Sequence, residues 1–267
     1  MLKLLLIPLV LYLLIMAGLF FAQGSILFPA HVAGGTMALP AGSERLEVAA
    51  ADGVTLRGVH VRPAQGGGGA ILLVFAGNAW NADAAADYVH GLFPERDVIA
   101  FQYRGYAPSE GKASARALQA DALLVHDAVA KRFGGRPIVS FGFSVGTGVA
   151  PYLARHRKLA GVILVTPFDD LASVAAGHYP WLPVRMLFRH RMRPVEDLAA
   201  VEAPVALIAA ERDTLIPPER TAPLRPVVRT LILDRIIAGE GHDSVYQNPE
   251  FRSTIAEALA LIEAAAG

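Results

Sequence analysis

The fold is decided by a stretch near the middle of the chain, Pro137–Gly146, which reads PIVSFGFSVG. Its first half, Pro137–Phe141, is mostly apolar and predicts a buried strand. Its second half is a Gly-x-Ser-x-Gly motif, and a helical stretch follows. Between a strand and a helix, this motif places its serine on a sharp turn, where flanking glycines let the two elements approach closely. Ser144 is therefore the candidate nucleophile, and Pro151 predicts a kink in the following helix.

Buried strands and helices alternate along the rest of the chain. Further strands are predicted at Ala70–Phe75, Val98–Phe101, Val162–Val165, Val205–Ala209 and Leu231–Leu233, helices at Ser114–Phe133 and Phe251–Ala265, and a hairpin at Leu46–Ala50 and Val54–Arg62. This alternation indicates an α/β fold, a mostly parallel sheet with helices on both faces. The hairpin adds antiparallel strands at one edge.

A serine hydroxyl becomes nucleophilic only when a base takes its proton and a carboxylate orients that base. Asp213 is the acid candidate because it directly follows the strand Val205–Ala209, although it also suits a helix cap near Pro217. His242 is the base candidate because it lies in a Gly-rich loop, AGEGHD, after the last strand. Other residues of the right type are Glu211, Asp169 and Asp170 for the acid and His178 and His190 for the base.

An oxyanion formed at the serine needs two backbone N–H donors. One follows the nucleophile, at Val145, and the other comes from the loop after the strand Ala70–Phe75. That loop reads AGNAWN, and we predict the N–H of Asn78 as the second donor. An ordinary Gly-Asn turn would have the same residues.

The N-terminus carries an uncharged apolar run, Leu4–Ala22. As a helix it would span roughly 28 Å, close to the thickness of a bilayer core. The run predicts a membrane anchor at 1–23 and a connector at 24–43, with a cleaved secretory signal as the alternative. Lys3 precedes the run and the next basic residue other than histidine is Arg45. The positive-inside rule then places the remainder on the extracytoplasmic side.

The remainder, 44–267, forms one predicted domain with 23 basic and 24 acidic residues, since Lys3 is the only charged side chain outside it. This balance argues against a nucleic-acid partner, which would require a basic excess. The chain has no cysteine, which excludes disulfides, thiolate metal sites and a cysteine nucleophile.

Several motifs resemble those of the α/β-hydrolase superfamily, and in particular its membrane-anchored abhydrolase domain-containing serine hydrolases. The resemblance covers about 45–265 and rests on FAGNAWN at 75–81, YRGY at 103–106, SEG at 109–111, the Ser144 motif, and the Asp213 and His242 segments. HYPWLP at 178–183 resembles the short cap of that group, and we place a cap at 171–195. The chain departs from the pattern at Ala76, Trp80 and Gln102, where the group usually has His, Gly and Asp.

The resemblance implies that an ester, thioester or amide is hydrolysed through an acyl-serine intermediate, with no metal or organic cofactor. Ser144 would attack, His242 would carry the proton and Asp213 would hold the imidazole in the correct tautomer. A small-molecule or lipid-like acyl substrate and a membrane would be the partners, and the oligomeric state stays open. Two alternatives remain: an aminopeptidase-like serine peptidase of the same fold and a non-catalytic binding module.

From Leu171 to Arg193 the cap has no acid, and beside Trp181 it carries four arginines, Arg185, Arg189, Arg191 and Arg193. Two interpretations are open. The first is a helix with a packed apolar face and a solvated basic face. The second is a basic and aromatic lid that lies on an anionic membrane surface and admits acyl chains.

Overall fold

A computed structural model describes residues 2–63 and 66–266 of the chain, and its centre is an eight-stranded sheet. The strands are β1 (Glu44–Ala49), β2 (Thr55–Val61), β3 (Ile71–Phe75), β4 (Val98–Phe101), β5 (Ile138–Phe143), β6 (Gly161–Val165), β7 (Val205–Ala210) and β8 (Leu231–Ile237). Their order across the sheet is β1-β2-β4-β3-β5-β6-β7-β8. β2 runs antiparallel to β1 and β4, and the pairs from β4 to β8 are parallel. The predicted mostly parallel sheet with a hairpin at one edge is confirmed.

Helices cover both faces of the sheet. The helices of the described residues are α1 (Leu2–Leu27), α2 (Ala30–Ala33), α3 (Ala82–Leu92), α4 (Ala115–Arg132), α5 (Ala150–His156), α6 (Leu171–His178), α7 (Val184–Leu187), α8 (Pro194–Leu198), α9 (Pro218–Thr221) and α10 (Pro249–Ala266). The helices predicted at 114–133 and 251–265 are confirmed as α4 and α10. Alternate residues of β3 belong to opposite cores: Leu73 packs in the core that includes α4 and α5, and Leu72 in the core that includes α3 and α10.

The chain after the candidate nucleophile is not one bent helix. Ser144–Gly148 forms a 3₁₀ turn, and α5 begins afterwards with Pro151 in its first turn. A proline there interrupts no helical hydrogen bond, because the first N–H groups of a helix have no partner within it. The predicted kink at Pro151 is therefore wrong, and the turn takes its place.

Helix α1 continues beyond the predicted apolar run, from Ala22 to Leu27. Residues Leu6–Ala33 include much of α1 and all of α2, and they have the length and composition of a membrane span. A signal sequence would have the same length and composition. The segment after α1 packs on the domain, because Phe28 and Ala33 are both buried in its core. Helices α6 and α7 lie within the predicted cap segment, 171–195.

Candidate active site

The turn after β5 holds Ser144 in a strained backbone conformation. Its φ is +50°, in the left-handed region that residues with a Cβ rarely adopt. The two glycines of the motif are required by close approach. A Cβ at Gly142 would lie 2.7 Å from the carbonyl oxygen of Gly146, and a Cβ at Gly146 would lie 2.1 Å from that of Phe75. The spacing of the motif therefore follows from close packing within the turn at Gly142 and against β3 at Gly146.

The structure brings the three predicted side chains together at the carboxyl ends of the parallel strands. His242 Nε2 lies 2.9 Å from Ser144 Oγ, and His242 Nδ1 lies 2.7 Å from Asp213 Oδ2. An ionised carboxylate only accepts hydrogen bonds, so Nδ1 is the donor and Nε2 is free to accept from the serine hydroxyl. The imidazole is 11% exposed and the carboxylate 2%, which strengthens both contacts by excluding water.

Two backbone groups hold the Asp213 carboxylate in place. Its Oδ1 accepts hydrogen bonds from the N–H of Leu215 at 2.9 Å and from that of Ile216 at 2.7 Å. The other oxygen, Oδ2, is left to contact His242. The aspartate therefore closes the turn after β7 and also orients the imidazole.

The other candidate acids are engaged elsewhere. Glu211 accepts a hydrogen bond from the N–H of Gly239 at 2.7 Å. Asp170 caps α6 and accepts from the N–H of Ala172 at 2.7 Å. Asp169 lies 3.3 Å from Arg220. Asp213 is the acid that the fold brings to His242.

The other candidate bases serve as packing or surface groups. His178, at the end of α6, contacts the carbonyl oxygen of Leu215 at 2.8 Å. His190 is buried, and its ring meets that of Phe28 edge-on, with the centroids 5.2 Å apart. Burial lowers the pKa of His190, so its ring is neutral at pH 7.

The loop after β3 passes over the candidate nucleophile. A Cβ at Gly77 would lie 3.6 Å from that of Ser144. The hydroxyl of Tyr103 donates to the carbonyl oxygen of Ala76 at 2.7 Å and so fixes the start of the loop. Burial raises the pKa of Tyr103 well above its ordinary value, which keeps this donor protonated. The role of the Asn78 and Val145 N–H groups as oxyanion donors stays a prediction.

Two residues that depart from the family pattern take part in packing around this loop. Trp80 lies in an aromatic cluster, with its ring centroid 5.2 Å from that of Phe143 and 5.5 Å from that of Tyr246. Gln102 accepts from the N–H of Ala82 at 3.2 Å and donates to the carbonyl oxygen of Ala33 at 3.4 Å. From the sequence, both positions can be identified only as departures from the family's motifs. Their contacts with residues far along the chain leave no signal in a local motif.

Curated relatives include lipases. An uncharacterized protein of Mycobacterium tuberculosis is 38% identical over 184 residues, which cover 67% of this chain and 64% of the relative. The lysophosphatidylserine lipase ABHD12 of Danio rerio is 31% identical over 142 residues, 45% of this chain and 36% of the lipase. The chain thus aligns with less than two thirds of either relative. No family model matches the chain.

Solved structures share the fold. An esterase of Pyrococcus furiosus superposes with a TM-score of 0.67 at 18% identity, covering 85% of this chain and 94% of the esterase. A membrane phospholipase A, described as a bacterial virulence factor, superposes with a TM-score of 0.62 at 16% identity, covering 97% and 99%. The chain has the α/β-hydrolase fold, as the motifs predict. In sequence it resembles the abhydrolase domain-containing lipases.

Proposed function

We propose that this chain is a membrane-tethered serine hydrolase that cleaves ester or thioester bonds of acyl substrates through an acyl-serine intermediate. The observation that carries the proposal is the hydrogen-bonded series Ser144–His242–Asp213 on a turn of positive φ. The esterases and lipases among the similar proteins support the same reaction class.

In the first half of the reaction, Ser144 Oγ forms a bond to the acyl carbon while its proton passes to His242 Nε2. Asp213 stabilises the imidazolium that results. The N–H groups of Asn78 and Val145 would stabilise the negative charge on the acyl oxygen. The carbon–oxygen or carbon–sulfur bond then breaks, and the imidazolium gives its proton to the leaving alkoxide or thiolate.

The second half frees the enzyme. His242 takes a proton from a water molecule, whose oxygen bonds to the acyl carbon of the intermediate. The bond to Ser144 Oγ breaks, the serine regains a proton from the imidazolium, and the carboxylic acid leaves. These steps use only side chains and backbone groups of the described site.

We further propose that the substrate is lipid-like. The N-terminal anchor at 1–23 is not cleaved, and the connector 24–43 and the catalytic domain 44–267 lie on the extracytoplasmic side. Contacts between α1 and the cap support retention of the helix. Tyr12 donates to the carbonyl oxygen of Trp181 at 3.0 Å, and the guanidinium of Arg189 lies 4.6 Å from the ring centroid of Phe20. Cleavage after Ala22 would remove both. The mass of the membrane-extracted protein tests this, since a chain that begins at Gln23 would refute it.

A fluorophosphonate probe tests the nucleophile. Full-length protein in detergent should be labelled, Ser144→Ala should not, and kcat should fall by about 10⁴–10⁶. Ser140→Ala is a matched control, since this serine is buried in β5, the strand that leads into Ser144, and its Oγ has no hydrogen-bond partner within the described residues. Equal labelling of wild type and Ser144→Ala would refute the assignment.

A substrate panel separates the alternatives. p-Nitrophenyl esters and a lysophospholipid should be hydrolysed, and aminoacyl anilides should not. Preferred cleavage of the anilides would favour the peptidase. A chain that is neither labelled nor active on any of these would favour the binding module.

A further inference from the structure

An apolar cavity lies between helix α1 and the cap. A helix that served only as a membrane anchor would not need such a cavity. The wall from α1 includes Met16, Leu19, Phe20 and Leu27. Their spacings of three, one and seven residues place them on one face of the helix. The opposite wall comes from the cap and includes Ala175, Tyr179, Leu182, Val184, Leu187 and Phe188.

Polar contacts hold α1 against the cap on the border of this cavity. The amide of Gln23 donates to the carbonyl oxygen of Leu187 at 3.3 Å and accepts from the N–H of Arg189 at 2.8 Å. Arg189 also donates to the carbonyl oxygen of Phe20 at 3.2 Å. Gln23 is therefore satisfied by backbone groups, and the cavity surface that remains is almost entirely apolar.

Hydrogen bonds link both walls of the cavity to loops of the candidate active site. On the α1 side, the carbonyl oxygen of Leu27 accepts from Asn78 Nδ2 at 3.3 Å, in the loop that passes over the nucleophile. On the cap side, His178 contacts the carbonyl oxygen of Leu215, whose N–H binds Asp213. The two loops that flank Ser144 and Asp213 are thus the ones that the walls of the cavity contact.

The membrane side of the cavity is also apolar. The part of α1 that contacts the cap or lines the cavity runs from Tyr12 to Leu27, about 22 Å along the helix. Leu6–Leu11 precede them and are exposed, as are Trp181 and Met186 on the cap, with Met186 82% exposed. A helix that sits in lipid thus continues directly into the cavity wall.

We propose that this cavity binds the acyl chain of the substrate, so that α1 forms part of the substrate site as well as the tether. The proposal rests on the proposed serine hydrolase function and specifies its substrate as an ester with a long apolar chain. Such a chain moves from the bilayer along α1 into the cavity while its carbonyl carbon reaches Ser144.

Blocking the cavity from either wall tests the proposal. Leu19→Trp and Ala175→Phe are compared with wild type, full-length and in detergent micelles, on p-nitrophenyl palmitate and p-nitrophenyl acetate. One methylene in an apolar pocket changes kcat/KM about 10- to 200-fold, so the palmitate-to-acetate ratio of kcat/KM should fall at least about tenfold. Leu14→Trp is the matched control, because Leu14 is 63% exposed on α1, and its ratio should equal that of wild type.

The outcomes separate this proposal from the one on which it rests. Labelling of each variant by a small fluorophosphonate verifies that it is folded. If wild type hydrolyses acetate and neither labelled cavity variant changes the ratio by more than twofold, the acyl site is refuted and the hydrolase stands. If wild type hydrolyses neither ester and is not labelled, both proposals are refuted.

Discussion

Asp213→Asn should abolish most of the activity without unfolding the protein, because of how the carboxylate is held. Oδ1 accepts two backbone hydrogen bonds, from the N–H groups of Leu215 and Ile216. An asparagine must keep its carbonyl oxygen at that position, since an NH₂ group there would face two donors. Its NH₂ then points at His242 Nδ1, where Oδ2 lies now.

The substitution would therefore reverse the imidazole tautomer. A donor facing Nδ1 makes that nitrogen an acceptor and moves the ring proton to Nε2, which can no longer take the proton of Ser144. Loss of the correct tautomer costs about 10⁴ in kcat, equivalent to about 5.4 kcal/mol of transition-state stabilisation. The free energy of unfolding should fall by only about 1–2 kcal/mol, since the backbone hydrogen bonds persist without their charge assistance.

The assay is kcat for p-nitrophenyl acetate together with thermal unfolding of the same preparation. Asp243→Asn is a matched control, because it makes the same chemical change at an exposed residue beside His242 and should leave kcat within about twofold. A kcat for Asp213→Asn within tenfold of wild type would show that the carboxylate does not set the tautomer.

Two further predictions concern the turn and the cap. Gly146→Ala should destabilise the protein by about 3 kcal/mol or more and lower Tm by about 6–12 °C, because its Cβ would lie 2.1 Å from the carbonyl oxygen of Phe75. Gly91→Ala, where a Cβ meets nothing within 4 Å, should leave Tm unchanged or raise it, and equal Tm values for the two variants would refute the reasoning. Replacing both of the exposed residues Arg185 and Arg191 by glutamine should raise the KM for substrate in anionic mixed micelles by up to about 30-fold, at about 1 kcal/mol per arginine. The same KM for both proteins, at every content of anionic lipid, would favour the interpretation of the cap as a helix with a solvated basic face.

Much of the fold can be predicted from the sequence because the signals for its strands and helices are local. The bounds predicted for the strand at Val98–Phe101 are the observed ones, since a short run of apolar residues is typical of a buried strand. Strand β8 was predicted only as far as Leu233 and continues to Ile237. It lies at the edge of the sheet, where Asp234 and Arg235 reach solvent and interrupt the apolar run.

The sequence by itself determined the α/β class, the turn at Ser144 and the order in which the candidate nucleophile, acid and base follow the strands, because each depends on a few neighbouring residues. The tertiary structure decided which acid reaches His242, since Glu211 and Asp213 differ by two positions and only contacts between loops distinguish them. It also decided the place of α1. An apolar run has the same composition whether it faces lipid alone or forms the wall of a cavity. The two cases are distinguished only in the tertiary structure, where the cap, more than 140 residues further along the chain, packs against α1.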